Sequence, residues 1–100
     1  MENSLFLRIT DDTLKSLYTK LDLLGLDQLD ISLSDGKLQV EFEDGTIYIV
    51  NRQLASQQLW LAEPKGGWRF DYKDELWICD KLETDIFETI IKLIGQKLSF

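Results

Sequence analysis

The chain is 100 residues long, with 44% hydrophobic and 29% charged residues. That is one domain's worth of sequence, able to bury roughly 65% of its unfolded surface without disulfide or metal staples. Eighteen acids against eleven bases give a net charge of −7, which argues against a grip on nucleic acid or anionic lipid and favours cationic partners.

The absences narrow the chemistry further. With no histidine, Ser-His-Asp and Cys-His catalysis, histidine-ligated zinc and a histidine pH switch are excluded. The single cysteine, Cys79, forms no internal disulfide, which fits a reducing, cytoplasmic setting. No apolar run approaches the ~20 residues that span a bilayer, and the opening residues lack a secretory or transit pattern.

In chain order, Phe6, Ile9, Thr13, Leu17, Leu21 and Leu24 recur at steps of three and four and predict an amphipathic helix ending at Gly25. Period two follows. Leu29, Ile31 and Leu33 alternate with polar residues up to the Asp35-Gly36 turn, and Leu38, Val40 and Phe42 do so up to Asp44-Gly45. Further strands are expected over residues 47–50, 57–62, 68–72 and 76–79. Thr84 is the expected N-cap of a closing helix whose apolar face holds Ile86, Phe87, Ile90, Ile91, Leu93, Ile94 and Leu98. The predicted fold is α+β: a two-layer sandwich, with the terminal helices on one face of an antiparallel sheet of about six strands.

Such a sheet leaves its second face open. In Leu59-Trp60-Leu61 the leucines outcompete one tryptophan for the covered side, so Trp60 is expected outward, on a partner surface or beneath a loop. The same parity reasoning turns Ile47 and Ile49 inward and Tyr48 and Val50 outward. Residues 1–45 hold ten acids and four bases, and Asp22, Asp27 and Asp30 bracket the first helix–strand junction. This acidic ridge is either a solvated face or a weak site for a hard, oxygen-preferring cation. Gly66-Gly67 precedes a strand and so cradles no phosphate, Cys79 reads as an inert thiol, and no catalytic constellation appears, so an enzyme is not expected.

Asn51-Arg52-Gln53, Gln58-Leu59-Trp60-Leu61-Ala62, Gly66-Gly67-Trp68, Phe70-Asp71 and Trp77-Ile78-Cys79-Asp80 resemble the signature of the frataxin family, in particular its bacterial branch. The resemblance spans nearly the whole chain as a single domain. It implies a small α/β sandwich serving iron–sulfur cluster assembly. Weak, surface-bound iron (Fe²⁺ or Fe³⁺) would sit on acids of the first helix and strand, here Asp11, Asp12, Asp22, Asp27 and Asp30. It further implies contact with a cysteine desulfurase and an iron–sulfur scaffold protein through the ridge and the outward sheet, where Asn51, Gln53, Trp60 and Arg69 match the family's contact positions. No organic cofactor, nucleic acid or membrane is expected, and the chain is expected to be a monomer. A regulatory adaptor of the assembly complex is one reading, and an iron chaperone or store is the other. Ala62-Glu63 replaces a serine pair common in the family, and the helix end Tyr18–Leu24 carries a single acid, Asp22. This depletion favours the sheet surface over high-capacity iron binding.

Overall fold

Alternation along the strands and helical spacing at both ends build two layers in the computed structural model, which describes residues 1–100. The elements are α1 (Asn3–Asp22), β1 (Leu29–Ser34), β2 (Lys37–Phe42), β3 (Ile47–Gln53), β4 (Gln58–Glu63), β5 (Gly66–Lys73), β6 (Leu76–Cys79), β7 (Thr84–Asp85) and α2 (Ile86–Leu98). The strands pair antiparallel in sequence order, so the sheet is a simple meander. A meander joins neighbours through short turns and needs no crossover, which leaves the two helices free to share one face.

The turns follow local chemistry. Ser34 pairs with Lys37 across a two-residue loop whose Gly36 sits at φ +70°, in the left-handed region glycine enters freely. A side chain at Gly36 would also press within 3.0 Å of the Arg52 guanidinium. The Lys73–Leu76 hairpin turns through Asp74 and Glu75 at φ +51° and +67°, without a glycine.

Inward positions from every long strand meet the helices, those of the edge strand β1, Leu29 and Ile31, only partly buried against the core. Leu38, Val40, Leu59, Leu61 and Phe70 are fully buried against Phe6, Leu14, Leu21, Ile90 and Ile94. Phe6 meets Trp77 edge-on at 6.0 Å, and Trp77 Nε1 donates a hydrogen bond to Thr13 Oγ1 at 3.0 Å, tying α1 to β6.

Three expectations are corrected. The buried stripe of α1 runs through Phe6, Thr10, Leu14, Leu17 and Leu21, while Leu24 lies beyond the helix and is exposed. Thr10 is tolerated inside because its hydroxyl donates to the Phe6 carbonyl at 2.9 Å. The α2 N-cap is Asp85, which accepts from the Glu88 N–H at 2.8 Å; Thr84 instead pairs with Cys79 in a short seventh strand. In β3 the parity is reversed: Tyr48 and Val50 are buried, Ile49 faces outward and Ile47 is 39% exposed. Residues paired across neighbouring strands share a face, and Val50 pairs with Leu38 and Leu61, both fully buried. Inward isoleucines would also have carried Asn51 and Gln53 into the core.

Lys97 on α2 donates to Asp44 in the β2–β3 turn at 2.8 Å, and the Thr46 N–H donates to the same side chain at 3.0 Å. These bonds hold the Asp44 carboxyl far below its ordinary value near 3.8. A carboxyl depressed by folding stabilises the native state above its unfolded pKa and stops doing so as pH falls through the folded one. Asp44→Asn is therefore expected to lower the urea midpoint near neutral pH. That deficit should shrink progressively below about pH 4, as followed by circular dichroism.

Candidate functional site: the open sheet face and the acidic edge

The outer face of the sheet is uncovered, and the strand register lays its side chains in rows. One row reads Ser34, Lys37, Asn51, Trp60 and Arg69 across five strands. Trp60 is half-buried on this face while Leu59 and Leu61 are fully buried beneath, as the competition for the covered side predicts. The Arg69 guanidinium lies 4.7 Å from the Trp60 ring centroid, a cation–π contact of about 0.5–1 kcal/mol at an exposed site. Asn51 stands directly opposite Trp60, and Gln53 opposite Gln58. The four residues expected to face a partner thus form one continuous patch.

The acids are less unified. Asp22, Asp27 and Asp30 line one depression floored by Tyr18, Leu26 and Leu29. Asp27 and Asp30 also border Glu41 and Glu43. Those two glutamates belong to the acidic edge although the sequence reasoning did not single them out. The signal was available: the two-residue Asp35-Gly36 loop fixes the register that sets Asp30 opposite Glu41. Two like charges directly opposite destabilise a strand pair, so this arrangement is not one that stability alone selects.

Asp11 and Asp12 stand apart. Asp11 shares a flank of α1 with Asp22, but eleven residues of helix separate them by about 16 Å. Its carboxylate accepts from Arg52 Nη1 at 2.6 Å, and Arg52 Nη2 donates to Asp35 at 3.1 Å. Arg52 is thereby a clamp joining α1, the β1–β2 turn and β3. Asp12 faces the groove between α1 and the start of α2, near Lys20, Glu75 and Asp85.

Nowhere do three acids or the cysteine gather around a point that a metal ion could occupy. Carboxylate oxygens suit a hard cation, which asks for about six oxygen ligands at fixed distances. The edge offers separated carboxylates with no preformed cage. Cys79 is buried, consistent with an unreactive thiol. No helix is long and apolar enough to cross a membrane.

The family described as frataxin-like domain matches residues 1–99. The chain is 38% identical over 98 residues to the iron–sulfur cluster assembly protein CyaY of Pseudomonas putida, covering 92% of this chain and 88% of that protein. It is 40% identical over 91 residues to the protein of the same name from Pseudomonas fluorescens, covering 89% and 82%. Frataxin from Psychromonas ingrahamii has the same fold with a TM-score of 0.90 at 28% identity, covering 97% of this chain and 91% of that one. A trimeric frataxin from Saccharomyces cerevisiae, complexed with ferrous iron, gives a TM-score of 0.77 at 28% identity, covering 92% and 87%.

The two uses of acid separate by mutation. Asp11→Asn removes the charge paired with Arg52 and is expected to cost about 0.5–1 kcal/mol in urea unfolding. Asp12→Asn, at an exposed site without an ion pair, should stay within about 0.5 kcal/mol of the parent.

Proposed function

The chain belongs to the frataxin family, and from that premise we propose that it is a non-enzymatic, regulatory adaptor of iron–sulfur cluster assembly. It docks on the complex of cysteine desulfurase and scaffold protein, with Trp60, Asn51, Gln53 and Arg69 as the contact patch. The observation that carries this reading is Trp60 itself: a large rigid ring displayed on the uncovered face above two fully buried leucines. Interface hot spots favour such anchors, because contact desolvates much surface at little cost in side-chain entropy. The acidic edge supplies a second, electrostatic contact. Asp22, Asp27 and Asp30 enter no ion pair within the chain, so their charge is free to steer a basic partner surface. The setting is cytoplasmic and the working unit a monomer.

Iron enters this reading as a weakly held, exchangeable cation on the acidic edge, not as a resident cofactor. Separated carboxylates bind through transient pairs of oxygens and exchange quickly with water. The reading as chaperone or store requires more, namely an ion held through delivery, and the arrangement of acids favours it less.

Trp60→Ala is expected to keep the fold, since the ring lies outside the core. It should weaken binding to the desulfurase–scaffold complex by at least about 2 kcal/mol, or roughly thirtyfold. Calorimetric titration checks this, and wild-type affinity would remove the anchor. In a titration with Fe²⁺ followed by NMR, broadening should centre on Asp22, Asp27 and Asp30 and develop only at excess metal. Saturation at one equivalent would instead mark an iron carrier.

A further inference from the structure

We propose that Gln58 and Asp71 are positioning residues that fix the orientation of the Trp60 indole on the open face. The inference rests on the docking role just given to Trp60 and concerns how that ring is prepared for contact. Gln58 and Trp60 are two residues apart on β4, so both project from the same face. Trp60 Nε1 donates to Gln58 Oε1 at 2.9 Å, and Gln58 Nε2 donates to Asp71 Oδ1 at 3.0 Å. Asp71 lies on β5, one step beyond the Leu59–Phe70 pair, and Arg69 opposite Trp60 covers one face of the ring.

The chain of bonds has a single direction. Indole offers only a donor and a carboxylate only acceptors. The amide of Gln58 must therefore turn its oxygen to Trp60 and its nitrogen to Asp71; the flipped amide satisfies neither. Asp71 orients Gln58, and Gln58 orients the indole. An exposed tryptophan with a free N–H samples several rotamers, each of which must be abandoned on docking. Here that ordering is completed before the partner arrives, which raises affinity without adding a contact.

A second consequence concerns what the partner meets. The indole N–H is already used, so Trp60 presents its ring surface and apolar edge rather than a donor. Arg69 forms no ion pair within the chain and is the patch's available charged donor. The complementary surface is apolar over the indole, with carbonyl or carboxylate oxygens at the Arg69 side.

The test compares Gln58→Leu, Asp71→Leu, Asp71→Asn and Trp60→Ala in the full chain. Each is measured for indole N–H exchange by NMR and for affinity to the desulfurase–scaffold complex. Gln58→Leu and Asp71→Leu are expected to speed exchange at the Trp60 Nε1–H and to weaken binding, on the order of fivefold. Asp71→Asn keeps an acceptor for Gln58 and should recover both readouts, which a purely electrostatic role for Asp71 would not allow. If Gln58→Leu leaves exchange and affinity at wild-type values while Trp60→Ala abolishes binding, positioning is overturned and the docking role stands. If Trp60→Ala itself binds normally, the docking role falls and the preparation of the ring for a partner falls with it.

Discussion

One pleated sheet, covered by helices on one side only, is the constraint from which the rest of the molecule follows. Successive strand residues point to opposite faces, so each buried residue commits its neighbours to the outside. Leu59 and Leu61 occupy the covered face, and Trp60 between them has no place there. The residues flanking the core positions are thus delivered to a common surface by the same geometry that builds the core. The buried core and the open surface are two sides of one register.

Because the helices cover a single face, their attachment matters more than it would in a layer packed on both sides. Three polar ties fasten them at different points: Thr13 to Trp77, Asp11 to Arg52, and Lys97 to Asp44. Each joins a helix to a strand or turn distant in sequence, the first two part-buried and the third exposed. Such ties are individually modest beside the burial of Phe6, Leu14, Ile90 and Ile94, but they fix where each helix lies over the sheet. One of them uses Asp11, an acid that the family resemblance places among possible cation ligands.

The charge is arranged in two zones. The end of α1, β1 with the segment leading into it, and β2 with the turn after it carry Asp22, Asp27, Asp30, Glu41 and Glu43, whereas the row through Trp60 carries Lys37 and Arg69 with the Asn51 amide between. Exposed charges are felt over about 8 Å at physiological ionic strength, so each zone sets its own local potential. A macromolecule engaging both must be basic at one place and offer oxygen acceptors at the other. The acids stay apart and do not converge on one point, as a cage for a metal ion would require.

Much of this was legible in the amino-acid order, because it depends on local rules. Helical spacing at both ends, the Asp-Gly turns and the Leu-Trp-Leu triplet determined the sandwich, the meander and the outward tryptophan, and the frataxin signature residues followed. What the order left open were choices made between strands. Ile47 and Ile49 looked inward by hydrophobicity, yet Leu38 and Leu61 impose the opposite parity on β3 through paired hydrogen bonds. Asp11 looked like Asp22, yet Arg52, forty-one residues away, claims it. Glu41 joined the acidic edge only when the register set it beside Asp30. Patterning fixes which elements form, since it reflects a residue's own preference for water or core. Which face, which ion partner and which neighbour each side chain receives depends on contacts distant in sequence, and only the folded arrangement supplies those.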